Sequence, residues 1–222
     1  MNERSVYSQQ GEDGVIEFIF DVIGTSSRFA VEFGAFDGIT TSNTKLLEEK
    51  GWQRLLLDGE PAGEGIHAEV VTGDNITELF DKYGVPEDVD LVSIDTDFKD
   101  WWIWRGLNRR YRPRLVVVEY NGSVPPDLAL TVPEDAPGGW DGTDYFGASL
   151  LAFDKLARVK GYRLVYCEGC GVNAFFVRSD LIKEPLVART VREAWKPANY
   201  YGSGKGHPPS DKHMVEVREE WL

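Results

Sequence analysis

Apolar runs alternate with amphipathic segments along most of this chain. Val15, Ile16, Ile19 and Ile23 recur at helical spacing, which predicts a first helix over 12–23. Short runs rich in β-branched and other apolar residues predict seven strands, at 29–33, 54–58, 68–72, 90–95, 114–120, 162–167 and 173–178. Helical patterns fall between the strands, at 42–50, 75–83, 99–109 and 148–160.

Strands that alternate with helices predict an α/β fold with a mostly parallel sheet covered by helices on both faces. Only residues 168–172 join the last two strands, and a link this short cannot make a parallel crossover. The seventh strand is therefore predicted to be antiparallel. The length of 222 residues predicts a single domain, 1–222, with a helical lead over 1–27, a lid loop over 121–147 and an irregular tail over 196–222.

A glycine turn follows the first predicted strand. It reads Glu32-x-Gly34-x-x-x-Gly38, and the polar residues 40–44 after it can open a helix. Phe36 stands where a dinucleotide fingerprint would have its second glycine. The spacing fits better the first motif of S-adenosylmethionine-dependent methyltransferases. A tight strand-to-helix connection without a ligand is the alternative interpretation.

Polar residues also close the later strands, where ligands bind in open α/β sheets. Asp58 follows an apolar run and is expected to accept the hydroxyls of an adenosine ribose, with Glu60 as the competing acid. Asp74 and Asn75 are placed to meet the adenine ring, although either residue can instead cap the next helix.

The ends of the fourth and fifth strands carry a concentration of oxygen ligands. Asp95, Asp97, Glu119 and Asn121 should lie close together, because neighbouring strands are about 4.8 Å apart. Crowded carboxylates repel one another unless they are protonated or bridged by a cation. Asp95, Glu119 and Asn121 are the candidate ligands of Mg²⁺ or another divalent cation, and Asp97 and Glu119 are the candidate catalytic bases. The alternative is that these side chains bind the sulfonium amino acid or loop backbone.

Charge and composition exclude several classes of partner. The formal charge is −13, which disfavours nucleic acid, and the basic cluster at 105–114 reads as a solvated helix face. No apolar run approaches the roughly 20 residues of a membrane span. Residues 1–4 show no signal-peptide pattern, so a cytoplasmic location is expected, and a homo-oligomer stays open. Cys167 and Cys170 are expected to be a reduced pair in a hairpin.

The chain resembles the FkbM-like S-adenosylmethionine-dependent methyltransferases over about residues 7–182. The segments that carry the resemblance are 7–13, 31–38, 42–44, 93–97, 118–121, 145–150 and 171–178. It implies a Rossmann-like class I methyltransferase fold and, usually, O-methylation of a sugar or natural product. The resemblance and the polar strand ends together indicate these candidate cofactor-binding residues: Gln9, Glu12, Glu32, Gly34, Ala35, Asn43, Asp58, Glu60, Asp74, Asn75 and Asp95. The family pattern expects Gly-Asn-Asp after Asp97, where this chain has Phe98-Lys99-Asp100, which leaves the substrate class open.

The functional hypothesis is therefore an S-adenosyl-L-methionine-dependent methyltransferase acting on a hydroxyl of a small-molecule acceptor, with metal assistance as an option. Tyr200, Tyr201 and His207 in the tail are candidates to fold over its pocket. One alternative is a nucleotide- or NAD-binding enzyme on a similar sheet, against which the lack of a G-x-G-x-x-G or P-loop motif counts. The other is a non-catalytic partner protein that retains the fold.

Overall fold

The computed structural model describes residues 1–222, apart from the side chain of Tyr201. The strands are β1 (Phe29–Phe33), β2 (Gln53–Asp58), β3 (Ile66–Ala68), β4 (Leu91–Ile94), β5 (Leu115–Glu119), β6 (Leu130–Thr131), β7 (Tyr162–Cys167), β8 (Asn173–Arg178) and β9 (Val215–Glu216). The α-helices are α1 (Glu12–Ile23), α2 (Lys45–Glu49), α3 (Ile76–Lys82), α4 (Asp100–Gly106), α5 (Leu150–Lys160) and α6 (Val191–Ala194). Short 3-10 helices cover Ser179–Leu181, Tyr200–Gly202 and Glu219–Trp221.

Seven strands form one sheet in the order β3-β2-β1-β4-β5-β8-β7. The pairs from β3 to β5 are parallel, whereas β8 runs antiparallel to both β5 and β7. The prediction of a mostly parallel sheet whose last strand in sequence is antiparallel is confirmed. Because β2, β1, β4 and β5 are parallel neighbours, their carboxyl ends meet along one edge of the sheet.

Apolar side chains cover the sheet on both faces. On one face, Val31 and Phe33 of β1 belong to a cluster that includes residues of α3, α4 and α5. On the other face, Ala30 belongs to a cluster with α1 and α2. The alternation follows from the two-residue period of a strand, and it explains why nearly every residue of β1, β4 and β5 is apolar.

The predicted third strand, 68–72, was wrong in position. The observed strand is Ile66–Ala68, because β2 ends at Asp58 and its last residue pairs with Ala68. Beyond Ala68 the chain has no strand beside it, so the β-branched run 70–72 continues over the carboxyl edge of the sheet.

Other boundaries also differ from the predictions. The second helix begins at Lys45 and not at 42, because residues 42–44 form a turn around the carboxylate of Glu32. Helices α3 and α4 are shorter than expected, and α5 begins at Leu150. The lid loop and the tail were expected to be irregular, yet β6 from the loop pairs with β9 from the tail.

Candidate active site

The glycine turn after β1 lies directly against the end of β4. Gly34 has φ +69°, and a Cβ at this position would come within 1.7 Å of the carbonyl oxygen of Asp95. Only glycine combines this backbone conformation with so close an approach. The next residue, Ala35, is buried and donates its N–H to the Leu57 carbonyl of β2 at 3.3 Å, so the turn is fixed to both neighbouring strands.

Glu32 holds the segment that follows this turn. Its buried carboxylate accepts hydrogen bonds from Ser42 Oγ at 2.7 Å, from the Asn43 N–H at 2.6 Å and from Thr44 Oγ1. Burial raises the pKa of Glu32, although these hydrogen bonds oppose that shift. The Asn43 side chain donates to Ser93 Oγ at 3.0 Å, and its Oδ1 is buried without a partner among the described residues. Glu32 and Asn43 therefore stabilise the turn through buried hydrogen bonds.

Asp58 closes β2 at the rim of a cleft. Its Oδ2 accepts the N–H of Phe36 at 2.7 Å, and its Oδ1 accepts the N–H of Glu60 at 2.7 Å. A carboxylate offers about four acceptor positions, so each oxygen can accept a further hydroxyl. The side chain of Glu60 is exposed and does not line the cleft.

The cleft has a volume of about 360 Å³ and lies over Gly34 and Asp58. One wall is the segment 69–72, which includes Val70, and the opposite wall is formed by 96–99. Val70 is 69% exposed, so its apolar side chain is accessible to a ligand in the cleft.

The two residues predicted to contact the adenine ring, Asp74 and Asn75, do not line the cleft. Asn75 accepts the Thr72 N–H at 2.7 Å and donates to the Val70 carbonyl at 2.8 Å, so it supports the cleft wall from behind. Asp74 is exposed and lies outside the lining of the cleft.

Three carboxylates gather where β4 and β5 end. One oxygen from each of Asp95, Asp97 and Glu119 lies within 4.8 Å of the others, and we call this set the carboxylate triad. Asp95 and Glu119 are half-buried, whereas Asp97 is exposed and also lines the cleft. Asp97 has φ +63°, a conformation that costs free energy in a residue other than glycine and that is frequent at functional sites.

Burial and mutual repulsion perturb the whole triad. The pKa values of Asp95 and Glu119 are raised well above their usual range, first by burial and then by neighbouring carboxylates. The pKa of Asp97 is raised as well, by partial desolvation of its carboxylate and then by Asp58, although part of its side chain is exposed in the cleft. No cation of the chain is paired with these groups among the described residues. The carboxylates therefore either hold protons or need a bound cation to offset their mutual repulsion.

Buried acceptor atoms without partners surround the triad. Within the described part of the chain, Glu119 Oε2, Asp100 Oδ2 and Asn173 Oδ1 have no hydrogen-bond donor. Asn173 pairs with Glu119 across β5 and β8, and Asp100 raises the pKa values of Asp95 and Glu119. Burial raises the pKa of Asp100 itself to about 6. Sequence reasoning did not select Asp100 or Asn173, because nothing in a single sequence shows that their polar atoms lack partners.

Asn121, the third predicted metal ligand, has hydrogen-bond partners in the lid loop. Its Nδ2 donates to the carbonyls of Asp144 and Phe146 at 2.8 and 3.1 Å, and its Oδ1 accepts the Ser123 N–H at 3.1 Å. This fully buried amide therefore holds the lid loop closed on itself.

The predicted N-terminal contacts lie beside the triad. Glu12 is fully buried, accepts the Gln10 N–H at 2.7 Å and the Asn173 Nδ2–H at 2.9 Å, and contributes to the raised pKa of Asp95. Gln9 is half-buried in the turn that precedes α1. The segment 8–12 thus borders the site from the side of β8.

The lid loop and the tail cover the triad together. The ring of His207 lies 4.5 Å from Trp140, 4.6 Å from Tyr200 and 5.7 Å from Phe146, measured between ring centroids. The Tyr200 hydroxyl is buried without a partner among the described residues, and Glu119 and Asp95 raise its pKa in addition to burial. The side chain of Tyr201 lies outside the described residues.

Phe98 packs the lid loop and the tail against the end of β4. It is 5% exposed and packs in a small apolar cluster with Val132, Tyr145 and Phe146 of the lid loop, against which Tyr200 of the tail also packs. The residue that departs from the family pattern therefore joins the end of β4 to the lid loop.

The sheet order, the glycine turn and the cleft at the ends of β1, β2 and β4 define a Rossmann-like α/β fold with a ligand cleft at the carboxyl edge of its sheet. No family model and no curated protein matches the chain. The crystal structure of the small RNA methyltransferase HEN1 is similar over 86% of this chain, with a TM-score of 0.44 and 13% sequence identity. This chain spans 28% of the length of that one. At this similarity, nothing about that enzyme's substrate transfers to the present chain, and FkbM-like membership stays a prediction.

No helix in the described part of the chain combines the length and hydropathy needed to cross a bilayer.

Proposed function

We propose that this protein is an S-adenosylmethionine-dependent methyltransferase that methylates a hydroxyl of a small molecule, such as a sugar or natural product. One observation carries the proposal: Asp97 belongs both to the lining of the nucleoside-sized cleft and to the carboxylate triad. A cofactor in the cleft would therefore end beside the triad, where an acceptor can approach.

The residues of the cleft suit the parts of the cofactor. Asp58 has free acceptor positions for two ribose hydroxyls, and Val70 offers an apolar surface to the adenine ring. The volume of about 360 Å³ falls in the range of small-molecule sites. The cationic methionine end would face an acidic region in which Glu119 Oε2 lacks a donor.

The triad also suits a divalent cation. Three carboxylate oxygens within 4.8 Å of one another resemble the ligand sets of hard ions. Burial and then mutual repulsion raise the pKa values of Asp95 and Glu119, and a bound ion would offset both. Asp95, Asp97 and Glu119 would hold such an ion, which would lower the pKa of an acceptor hydroxyl there. The alternative is direct contact between these carboxylates and the acceptor or cofactor.

The chain's own residues supply positioning and proton transfer. When bound, S-adenosylmethionine supplies an electrophilic methyl group. Asp97 and Glu119 would accept the hydroxyl proton in their ionised forms, which are stronger bases than ordinary carboxylates because their pKa values are raised. His207 and Tyr200 cover the same region and would exclude water and orient the acceptor.

Isothermal titration with S-adenosylhomocysteine, NAD and ATP tests the cofactor assignment. We expect saturable binding of S-adenosylhomocysteine alone, with affinity at least tenfold weaker in Asp58→Ala and unchanged in the matched control Glu60→Gln. Tighter binding of NAD or ATP would replace the proposal with a nucleotide-binding enzyme. Binding of none of the three at millimolar concentration would favour a non-catalytic partner.

A Mg²⁺ titration with and without EDTA tests the metal. Thermal unfolding of the wild type should shift upward with Mg²⁺, and that of Asp95→Asn should not. If the wild type ignores both Mg²⁺ and chelation, the carboxylates act without an ion.

A further inference from the structure

A second pocket lies at the opposite edge of the sheet from the carboxylate triad. It has a volume of about 180 Å³ and is lined by residues that include Arg112 and Pro113, just before β5. Glu119 of the triad is at the other end of β5, and five strand residues span about 16 Å. The pocket is therefore separate from the proposed active site.

Three cations converge on this pocket. Arg109, Arg112 and Lys160 line it, and no carboxylate does. None of the three forms an ion pair with any described residue, whereas Arg110 and Arg114 of the same basic cluster pair with Asp81 and Asp90. Unpaired cations that share one pocket are unexpected in a chain with a formal charge of −13.

Lys160 is the most buried of these three cations, and no acidic side chain pairs with it among the described residues. Its Nζ donates to the Leu107 carbonyl at 2.8 Å, which leaves two N–H donors for another partner. Burial lowers the pKa of Lys160 to about 8, and Arg109 and Arg105 add to that shift. The protein thus holds this ammonium beside like charges without a counter-ion of its own.

Helix ends explain only part of the cluster. Lys160 ends α5, and Arg105 is in the last turn of α4, where helix dipoles favour cations. Arg109 and Arg112 lie beyond α4, on the segment that leads into β5, and no helix end accounts for them. Their convergence requires another explanation.

The walls of the pocket are rigid. Tyr162 donates its hydroxyl to the Pro113 carbonyl at 2.9 Å, and Tyr111 donates to Asp81 Oδ1 at 2.6 Å. Trp104 is buried behind them. The pocket is therefore preformed and needs little reorganisation to bind a ligand.

We propose that Arg109, Arg112 and Lys160 form a binding site for a phosphate group. Arginine guanidinium groups and a lysine ammonium are the side chains that bind phosphate oxygens most strongly. A volume of 180 Å³ admits a free phosphate or the terminal phosphate of a larger molecule, and not a whole nucleotide.

Isothermal titration with inorganic phosphate, pyrophosphate and AMP, at constant ionic strength set with chloride, tests the site. We expect saturable binding of at least one of the three, weakened tenfold or more in the double variant Arg109→Ala/Arg112→Ala. Both arginines are exposed, so the variant should fold. Arg110→Ala is the matched control, because it removes a neighbouring charge that already has a partner.

Comparison of the three ligands shows whether the site prefers a free phosphate or one carried on a larger molecule. Stronger binding of AMP would indicate a phosphate carried on a nucleotide, and stronger binding of the inorganic ions a free oxyanion. The proposal is overturned if none of the three saturates below 10 mM, a concentration limit on the order of the weakest specific binding, or if Arg110→Ala loses as much affinity as the double variant. S-adenosylhomocysteine binding, measured in parallel, should stay unchanged in every variant, so this site and the methyltransferase proposal fail independently.

Discussion

Replacing Gly34 with alanine tests the physical basis of the site most directly. Two costs combine at this position. The left-handed conformation, φ +69°, costs about 1–2 kcal/mol for a residue with a Cβ. The new Cβ would also lie 1.7 Å from the Asp95 carbonyl oxygen, and forcing such a contact apart costs about 1–3 kcal/mol more.

The sum, about 2–5 kcal/mol, is a large part of the 5–15 kcal/mol that stabilises an ordinary domain. Gly51→Ala is the matched control, because Gly51 has φ +83° but open space around it. It carries the conformational cost without the collision. We therefore expect Gly34→Ala to lower the free energy of unfolding by about 1–3 kcal/mol more than Gly51→Ala does.

Urea unfolding followed by the fluorescence of the seven tryptophans gives both free energies. Because the collision pushes the end of β4 away from β1, S-adenosylhomocysteine affinity should also fall in Gly34→Ala and stay normal in Gly51→Ala. Equal destabilisation by the two substitutions would refute the close contact between the glycine turn and β4.

Two further substitutions probe buried polar groups near the triad. Burial raises the Asp100 pKa to about 6, so the folded state favours the neutral acid; the resulting stability is present below about pH 4 and is lost as pH rises through 6. This loss amounts to about 3 kcal/mol and develops mostly between about pH 4 and 6, so Asp100→Asn should become more stable relative to wild type in urea unfolding as the pH rises from about 4 to 7, and a pH-independent difference would contradict this. Tyr200→Phe removes a buried hydroxyl that has no partner among the described residues, so thermal unfolding should show a stability unchanged or raised by up to about 1 kcal/mol. A clear loss of stability would mean that the hydroxyl is hydrogen-bonded.

Much of the fold follows from local pattern. The apolar runs of β1, β4 and β5 identify buried parallel strands, and the five-residue link 168–172 requires the antiparallel turn into β8. The sequence also places Asp58, Asp95, Asp97 and Glu119 at one edge, because parallel strands share the direction of their carboxyl ends.

Pairing partners decide what local pattern leaves open. The β-branched run at 70–72 has every local property of a strand, yet it forms a cleft wall because β2 ends at Asp58. Similarly, Asn121 has the chemistry of a metal ligand, but the lid loop uses its amide for backbone hydrogen bonds.

The sequence alone determined the order of elements, the edge at which polar strand ends gather and the excess of negative charge. Only the tertiary structure decided that Asp97 lies with Asp95 and Glu119, that Tyr200 and His207 cover these carboxylates, and that Arg109, Arg112 and Lys160 share a pocket. The physical reason is distance along the chain. Hydrophobic periodicity and turn chemistry act over a few residues, whereas these groups come from segments that meet only after the sheet and its covering loops have packed.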